Sequence, residues 1–175
     1  MNKFTYIIIV ISKVDYCNSV LAGLPVALLH RLQSVVNAAA RLVFSVRKSE
    51  HITPLLRQLH MLRVPERIQF RLCALTYRCL NGTVPPYLAE TLQKSANVQV
   101  RRRLRSAATS TLIVPSTRRS TLGDHAFPVA AARALNALPS SERAATSLKS
   151  FRRAAKTTLF QAAFTDNDTD SVFSL

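Results

Sequence analysis

The chain has 175 residues, of which 48% are apolar, and it carries a formal net charge of +15. This length and apolar content suffice for one ordinary domain with a hydrophobic core. The sequence has only 3 glycines, which argues against a turn-rich β fold. Its three cysteines are odd in number and widely spaced, which argues against a disulfide framework. The basic excess predicts attraction to polyanions, nucleic acid first and anionic membrane second.

The first 13 residues form an apolar N-terminal segment. Its apolar run, Phe4–Ile11, is far shorter than the roughly 20 residues that span a bilayer, so no transmembrane segment is predicted. We expect a strand or the start of a buried helix. A secretory signal is the alternative, but Lys13 and Asp15 interrupt its pattern. We therefore expect an intracellular protein, nuclear or cytoplasmic.

Residues 14–94 are predicted to form a helical domain. A short helix over Asp15–Leu24 ends near Gly23, and Pro25 suits the first turn of a long helix over Val26–Val46. Apolar residues at spacings of three and four form the buried face of that long helix: Leu29, Leu32, Val35, Val36, Ala39, Leu42, Val43 and Val46. Two polar residues of the same helix, Asn37 and Arg41, either pair, face a ligand or lie in solvent.

Two further helices follow in this domain. Thr53 before Pro54 is a capping pattern and predicts a short helix that reaches about Leu59. Pro65 opens the next helix, which the Asn81–Gly82 pair ends. The predicted buried stripe of that helix is Ile68, Leu72, Leu75 and Cys79. The arginines Arg67, Arg71 and Arg78 lie off this stripe.

A brief helix begins at Pro86, and we expect Tyr87 and Leu88 to anchor it to the core. The composition changes after Lys94. Residues 95–120 are rich in Ser, Thr and Arg and have no helical period, which predicts a basic, partly disordered linker. A short strand over Thr111–Val114 is expected within it.

A C-terminal helical segment is predicted over residues 121–164. A small helix begins at Pro128 and ends near Leu138, and a longer one is capped by Thr146 or Ser147. The buried stripe of the longer helix is Leu148, Phe151, Ala155, Leu159 and Ala163. Residues 165–175 are expected to be a disordered acidic tail. The predicted fold class is all-α, a small helical bundle with this linker and tail.

The sequence offers little catalytic chemistry. It has no glycine-rich phosphate loop and no Gly-x-Ser-x-Gly elbow, and its carboxylates before the tail are scattered. A zinc site built from His51, His60, Cys73 and Cys79 is an alternative whose spacing matches no compact motif. The run Asp166–Asp170 lacks the glycine of a calcium loop. We expect no catalytic residue, no metal site and no cofactor.

The candidate nucleic-acid-binding residues are two groups of cations. Arginine donors fit phosphate oxygens, so both groups predict contacts with a nucleic-acid backbone, whether of a duplex or an RNA/DNA hybrid. Because aromatic residues are not interleaved with the basic runs, base stacking is not predicted. Solvated basic faces are the alternative. The linker supplies Arg101, Arg102, Arg103, Arg105, Arg118 and Arg119, and the last helix supplies Lys149, Arg152, Arg153 and Lys156.

Four phrases occur in order along the chain: "VDYCNSVLAGLP", "RLQSVVNAAARLV", "HITPLLRQLHMLRVPERIQFRLCALTYRCLNGTVPPYL" and "GDHAFPVAAARALNALPSSERAATSLKSFRRAAKTTLF". Together they resemble the C-terminal part of reverse transcriptases from non-LTR (LINE-type) retrotransposons of the jockey-like group. The resemblance extends from about Val14 to Phe164 and implies the thumb and the region beyond it. One departure is Leu135, where the family typically has Trp, and the first dozen residues do not extend the likeness.

The resemblance implies a parent that performs RNA-directed DNA polymerisation. The family's catalytic Y-x-D-D motif lies in the palm and has no counterpart in this sequence, so no catalytic residue carries over. The expected function is that of a truncated, non-catalytic fragment that binds nucleic-acid backbones, with the missing polymerase core as a further partner. The alternatives are a decayed structural remnant without activity, or a basic protein that binds a partner or a membrane surface.

Overall fold

A computed structural model describes residues 3–95, 111–118 and 123–165 of the chain. These residues form an all-α bundle, as predicted, and contain no β-strand. None of the helices in these ranges combines the length and apolar character that crossing a membrane requires. The helices are α1 (Lys3–Asp15), α2 (Val26–Phe44), α3 (Ile52–Gln58), α4 (Val64–Leu80), α5 (Pro86–Ala89), α6 (Phe127–Asn136), α7 (Ser140–Arg143) and α8 (Leu148–Thr165), with a 3-10 turn at Asn18–Leu21.

Helix α4 lies at the centre of the bundle and packs against α2, α6, α8 and the 3-10 turn. The predicted stripe is confirmed at Ile68, Leu72 and Cys79, which are buried. Tyr77 extends the buried surface, because its ring stacks on Phe151 of α8 with 4.4 Å between ring centroids. Its hydroxyl donates a hydrogen bond to the Ala145 carbonyl at 2.8 Å, so this buried polar atom is satisfied.

The last helix follows its prediction closely. Ser147 is the cap, since its Oγ accepts a hydrogen bond from the Ser150 amide at 3.2 Å. Its stripe faces α4, with Leu148 half-buried and four members buried: Phe151, Ala155, Leu159 and Ala163. The acidic tail from residue 166 onward lies outside the described residues.

The N-terminal region departs from expectation. The segment expected to be a strand or a buried helix start is a helix, α1, in which Ile7 is buried and Ile8 and Ile9 are exposed. Helix α1 packs mainly on α2, so only one of its sides is covered. The short helix expected over Asp15–Leu24 is wrong: α1 ends at Asp15, Cys17 adopts a left-handed φ of 51°, and a 3-10 turn follows.

Helix α2 ends at Phe44 rather than Val46, because Ser45 adopts a left-handed φ of 55°. Only part of its predicted face is covered. Val36 and Ala39 are buried, as is Ala40, whereas Val35 and Leu42 are exposed. The face that the sequence pattern predicts is wider than the surface that α1, α3 and α4 cover.

Two short helices also differ from the prediction. Helix α3 begins at Ile52 with His51 at its cap position, so Thr53 lies inside the helix and does not cap it. Helix α5 has four residues, and Tyr87 is exposed, contrary to the anchoring role expected for it. The end of α4 at the Asn81–Gly82 pair is confirmed, with Gly82 at a φ of 67° that suits glycine.

The described ends of the predicted linker lie side by side. The Ser95 amide donates to the Thr111 carbonyl at 3.0 Å, and the Ile113 amide donates to the Gln93 carbonyl at 2.8 Å. This is an isolated antiparallel bridge, so the strand expected over Thr111–Val114 does not form. Both main-chain groups of Leu112 bond to the Asn136 side chain, at 2.9 and 2.8 Å. The bridge is thereby fixed to α6.

The three cysteines provide a test of this packing. Cys17 is exposed, whereas Cys73 and Cys79 are buried. Burial raises the pKa of the Cys73 thiol to about 12, aided by the nearby Glu142 carboxylate, and burial also raises the pKa of Cys79. The thiolate is the reactive form of cysteine. Because the raised pKa of Cys73 lies far above a pH of about 8, its thiol stays protonated at that pH.

We predict that iodoacetamide modifies Cys17 alone in the native protein and all three thiols in denaturant. Mass spectrometry after a timed reaction measures the number of adducts, and peptide mapping assigns them. The same reaction on a Cys17→Ser variant is the control, and it should give no adduct under native conditions. Rapid native labelling of Cys73 would contradict the packing of α4 against α6 and α8.

Candidate nucleic-acid interface

Five of the ten predicted cations lie in the described residues. Lys149, Arg152, Arg153 and Lys156 are exposed on α8, and Arg118 is exposed at the end of the 111–118 segment. The remaining five, namely Arg101, Arg102, Arg103, Arg105 and Arg119, lie outside the described ranges. The sequence-based interface is therefore placed in three dimensions only on α8 and at Arg118.

Helices α4 and α8 pack side by side, and two adjoining clefts run along their junction. The larger has a volume of about 630 Å³, and its basic residues are Arg71, Arg78 and Arg152. The smaller, of about 250 Å³, is lined by Arg71, Arg152 and Lys156 together with Arg67. We call the two together the α4–α8 cleft. Phe70 lies in both parts, with the Arg152 guanidinium 5.9 Å from its ring centroid.

The α4–α8 cleft has one carboxylate among its described lining residues, Asp15. Arg67 Nη1 donates to both oxygens of this carboxylate, at 2.8 and 2.9 Å. The side chain of Arg67 is 13% exposed and that of Asp15 is 24% exposed. The Arg67 Nε also donates to the Leu62 carbonyl at 3.0 Å. The acid is thus neutralised within the protein, and the other cations are left for an external anion.

The four α8 cations do not share one environment. Arg152 and Lys156 line the α4–α8 cleft, whereas Lys149 and Arg153 project from the same helix and line neither part of it. The reason is their position around the helix, since Arg152 and Lys156 are nearer the buried stripe that faces α4. Removing charge inside the cleft and removing equal charge outside it therefore gives two variants that can be compared directly.

The candidate cations predicted from the sequence did not include Arg71 and Arg78, which line the α4–α8 cleft. Both are exposed on α4, and both lie off its apolar stripe, which was the available signal. The spacing of seven residues places them about two helical turns apart on one face. Their significance depends on α8 lying beside them, and this pairing of helices distant in sequence has no local signature.

The other polar residues singled out in the sequence do not come together in the pairs or sites considered for them. Asn37 and Arg41 do not bond to each other: Asn37 accepts from Gln33 at 2.8 Å and Arg41 donates to the Glu50 carbonyl at 3.1 Å. The four alternative zinc ligands are not brought together, since Cys73 and Cys79 are buried and His51 and His60 are exposed. Across the described ranges, no group of three or more His, Cys, Asp or Glu residues is arranged to hold a metal ion.

The chain was compared with known protein families, with curated proteins and with solved structures, and none of the three comparisons found a match. The function must therefore be argued from the α4–α8 cleft and from the sequence resemblance.

The Asp15–Arg67 pair gives the first functional prediction. An Asp15→Asn variant should lose about 1–3 kcal/mol of stability, because the poorly exposed Arg67 guanidinium loses its charged acceptor. The same variant should bind nucleic acid more tightly at a given salt concentration, because the one carboxylate of the α4–α8 cleft is gone. Denaturant unfolding and fluorescence anisotropy of a labelled oligonucleotide measure the two effects.

Asp124→Asn is the matched control. Asp124 pairs with Arg133 at 2.9 Å, away from the α4–α8 cleft, and the two side chains are 34% and 54% exposed respectively. It makes the same change in net charge but should alter stability by less than about 1 kcal/mol. If both variants raise the affinity equally, the gain reflects total charge and not the composition of the cleft.

Proposed function

We propose that this chain is a non-catalytic fragment of a non-LTR retrotransposon reverse transcriptase that binds nucleic-acid backbones through its α4–α8 cleft. The observation that carries the binding part is the cleft itself. Arg71 and Arg78 from α4 converge there with Arg152 and Lys156 from α8, and its one carboxylate is already paired with Arg67.

Phosphate contact is the chemistry that these side chains favour. Guanidinium groups offer paired donors to phosphate oxygens, and a lysine ammonium adds a point charge. Such contacts fix a strand in place but carry no base information, so binding should be weakly selective for sequence. It should also weaken as salt rises, because each neutralised phosphate releases condensed counterions.

The resemblance supports the same assignment from another direction. It implies that the chain corresponds to the thumb and post-thumb region of a polymerase, whose helices can flank the template–primer duplex. A basic groove between two such helices is what a region that holds phosphates needs. The catalytic residues of the parent family belong to the palm, so the proposed role is binding alone, without polymerase or nuclease activity.

A second candidate role is contact with a protein partner, and the exposed apolar side chains favour it. Four large side chains of these two helices are exposed, namely Tyr6, Ile8 and Ile9 on α1 and Val26 on α2. Surfaces of this kind are typical of protein interfaces. The polymerase core of a full-length reverse transcriptase is the partner that the resemblance suggests, and this role is compatible with nucleic-acid binding at the α4–α8 cleft.

Paired charge removal tests the binding proposal. A double Arg71→Gln, Arg152→Gln variant removes two charges from the α4–α8 cleft, and a double Lys149→Gln, Arg153→Gln variant removes two from outside it. Titrations of duplex, hybrid and single-stranded oligonucleotides at several salt concentrations give affinity and salt slope. The first variant should bind all sequences more weakly. Its slope of log affinity against log salt concentration should be flatter by up to about 1.8, at about 0.9 per phosphate contact.

The second variant should lose less affinity and keep most of the slope. All four positions are exposed, so circular dichroism should show unchanged helicity in both. Equal losses in the two variants would mean that net charge alone attracts nucleic acid. If neither variant loses affinity or slope, the cations are solvated surface and the structural-remnant interpretation is favoured. Replacing Arg101, Arg102, Arg103 and Arg105 by Gln measures the share of the linker separately.

A further inference from the structure

The larger part of the α4–α8 cleft contains two side chains that phosphate binding does not use. Tyr16 lines it and is 80% exposed, although it is aromatic. Asn18 also lines it and is only 2% exposed. Its Oδ1 is buried without a hydrogen-bond partner in the part of the chain that the structure describes. Because this oxygen has no exposed surface, a ligand in the cleft does not reach it, and Tyr16 is the one of the two side chains that can contact a ligand.

The local backbone explains why these two residues share the cleft. Helix α1 ends at Asp15, and the left-handed conformation at Cys17 turns the chain into the 3-10 turn that begins at Asn18. This turn packs on α4. Asn18 Nδ2 donates to Asp15 Oδ1 at 3.4 Å, and this bond joins the turn after Tyr16 to the end of α1.

These groups match the parts of a nucleotide. An exposed aromatic ring stacks on a base face, and such stacking tolerates every base. Arginines bind the phosphates on either side of that base. The volume of about 630 Å³ lies within the range typical of small-ligand sites and is sufficient for one nucleotide.

We propose that the larger part of the α4–α8 cleft receives one unpaired nucleotide of a nucleic-acid strand, with its base stacked on Tyr16. The flanking phosphates lie on Arg71, Arg78 and Arg152. The proposal rests on the proposed function, because the same arginines hold the backbone. It departs from the sequence-based prediction, which found no aromatic residues interleaved with the basic runs and therefore no base stacking.

The unpaired state follows from the contacts. Inside a duplex a base has both faces stacked on its neighbours, so it cannot offer a free face to Tyr16. A strand fits better than a free nucleotide because the smaller part of the α4–α8 cleft continues from Arg71 and Arg152 to Lys156. Lys156 is thus a further cation that suits the next phosphate along a backbone.

Cys17 provides a direct readout in the unmodified protein. It is exposed, lies between Tyr16 and Asn18, and lines the same part of the cleft. A single strand of about 12 nucleotides, within the site sizes typical of single-strand binders, should slow the alkylation of Cys17 by iodoacetamide. An abasic strand of equal length should protect less, because it keeps the phosphates but lacks bases. A blunt duplex and a mononucleotide at equal phosphate concentration should also protect less.

The substitution test compares Tyr16→Ala with Tyr16→Phe. Because Tyr16 is exposed, neither change should disturb folding. Tyr16→Ala should weaken single-strand binding by about 5- to 150-fold, the range that matches the loss of one base–aromatic stack. Tyr16→Phe should keep most of the affinity, since the ring remains. The affinity for the abasic strand should be the same in all three proteins.

The outcomes separate this inference from the proposed function. If Arg71→Gln, Arg152→Gln weakens binding while Tyr16→Ala does not, the α4–α8 cleft binds phosphates only and the nucleotide proposal is wrong. Loss in neither variant would overturn both. If a mononucleotide protects Cys17 as well as the strand does, the site takes free nucleotides and the assignment to a strand is wrong. Equal protection by the abasic strand would contradict base recognition.

Discussion

The ion pair between Asp15 and Arg67 fixes the relation of the N-terminal region to the rest of the bundle. It joins the last residue of α1 to α4 through two short contacts in a poorly solvated position. The same pair orients Asn18, whose amide donates to Asp15. It also neutralises the one carboxylate among the described residues that line the α4–α8 cleft. One interaction therefore sets the geometry of the turn and the charge of the proposed site.

The second side of the cleft depends on the aromatic core. Tyr77 and Phe151 stack between α4 and α8, and the Tyr77 hydroxyl reaches the Ala145 carbonyl in the chain that leads to α8. Because Arg152 follows Phe151 directly, burying the aromatic ring leaves the guanidinium beside the edge of α4. The cations of α8 are thus positioned by packing. The favourable free energy of this apolar contact offsets the repulsion between the cations that it brings together in the cleft.

How far the sequence predicts this structure depends on the range of each interaction. The stripe of α8, its Ser147 cap and the end of α4 at Gly82 are local patterns, and the structure confirms them. Tyr87 was misjudged because a helix of four residues has too few contacts to bury a large ring. At the proposed site, Arg152 and Lys156 were found from their helix face. Tyr16 and Arg71 were not, because they meet only when the 3-10 turn and α8 both pack on α4.

Attraction of a polyanion from a distance and its binding within the cleft depend on different charges of the protein. A net charge of +15 gives the whole protein a positive field that draws polyanions from any direction, but this field is screened beyond a distance of about 10 Å at 0.1 M salt. Contact within the cleft acts at hydrogen-bonding distance and is far less sensitive to where the remaining charge lies. If the proposed binding holds, Lys149 and Arg153 contribute to the encounter with nucleic acid, whereas Arg71 and Arg152 contribute to the bound state. A base on Tyr16 would add a term that depends little on salt, because stacking releases no counterions.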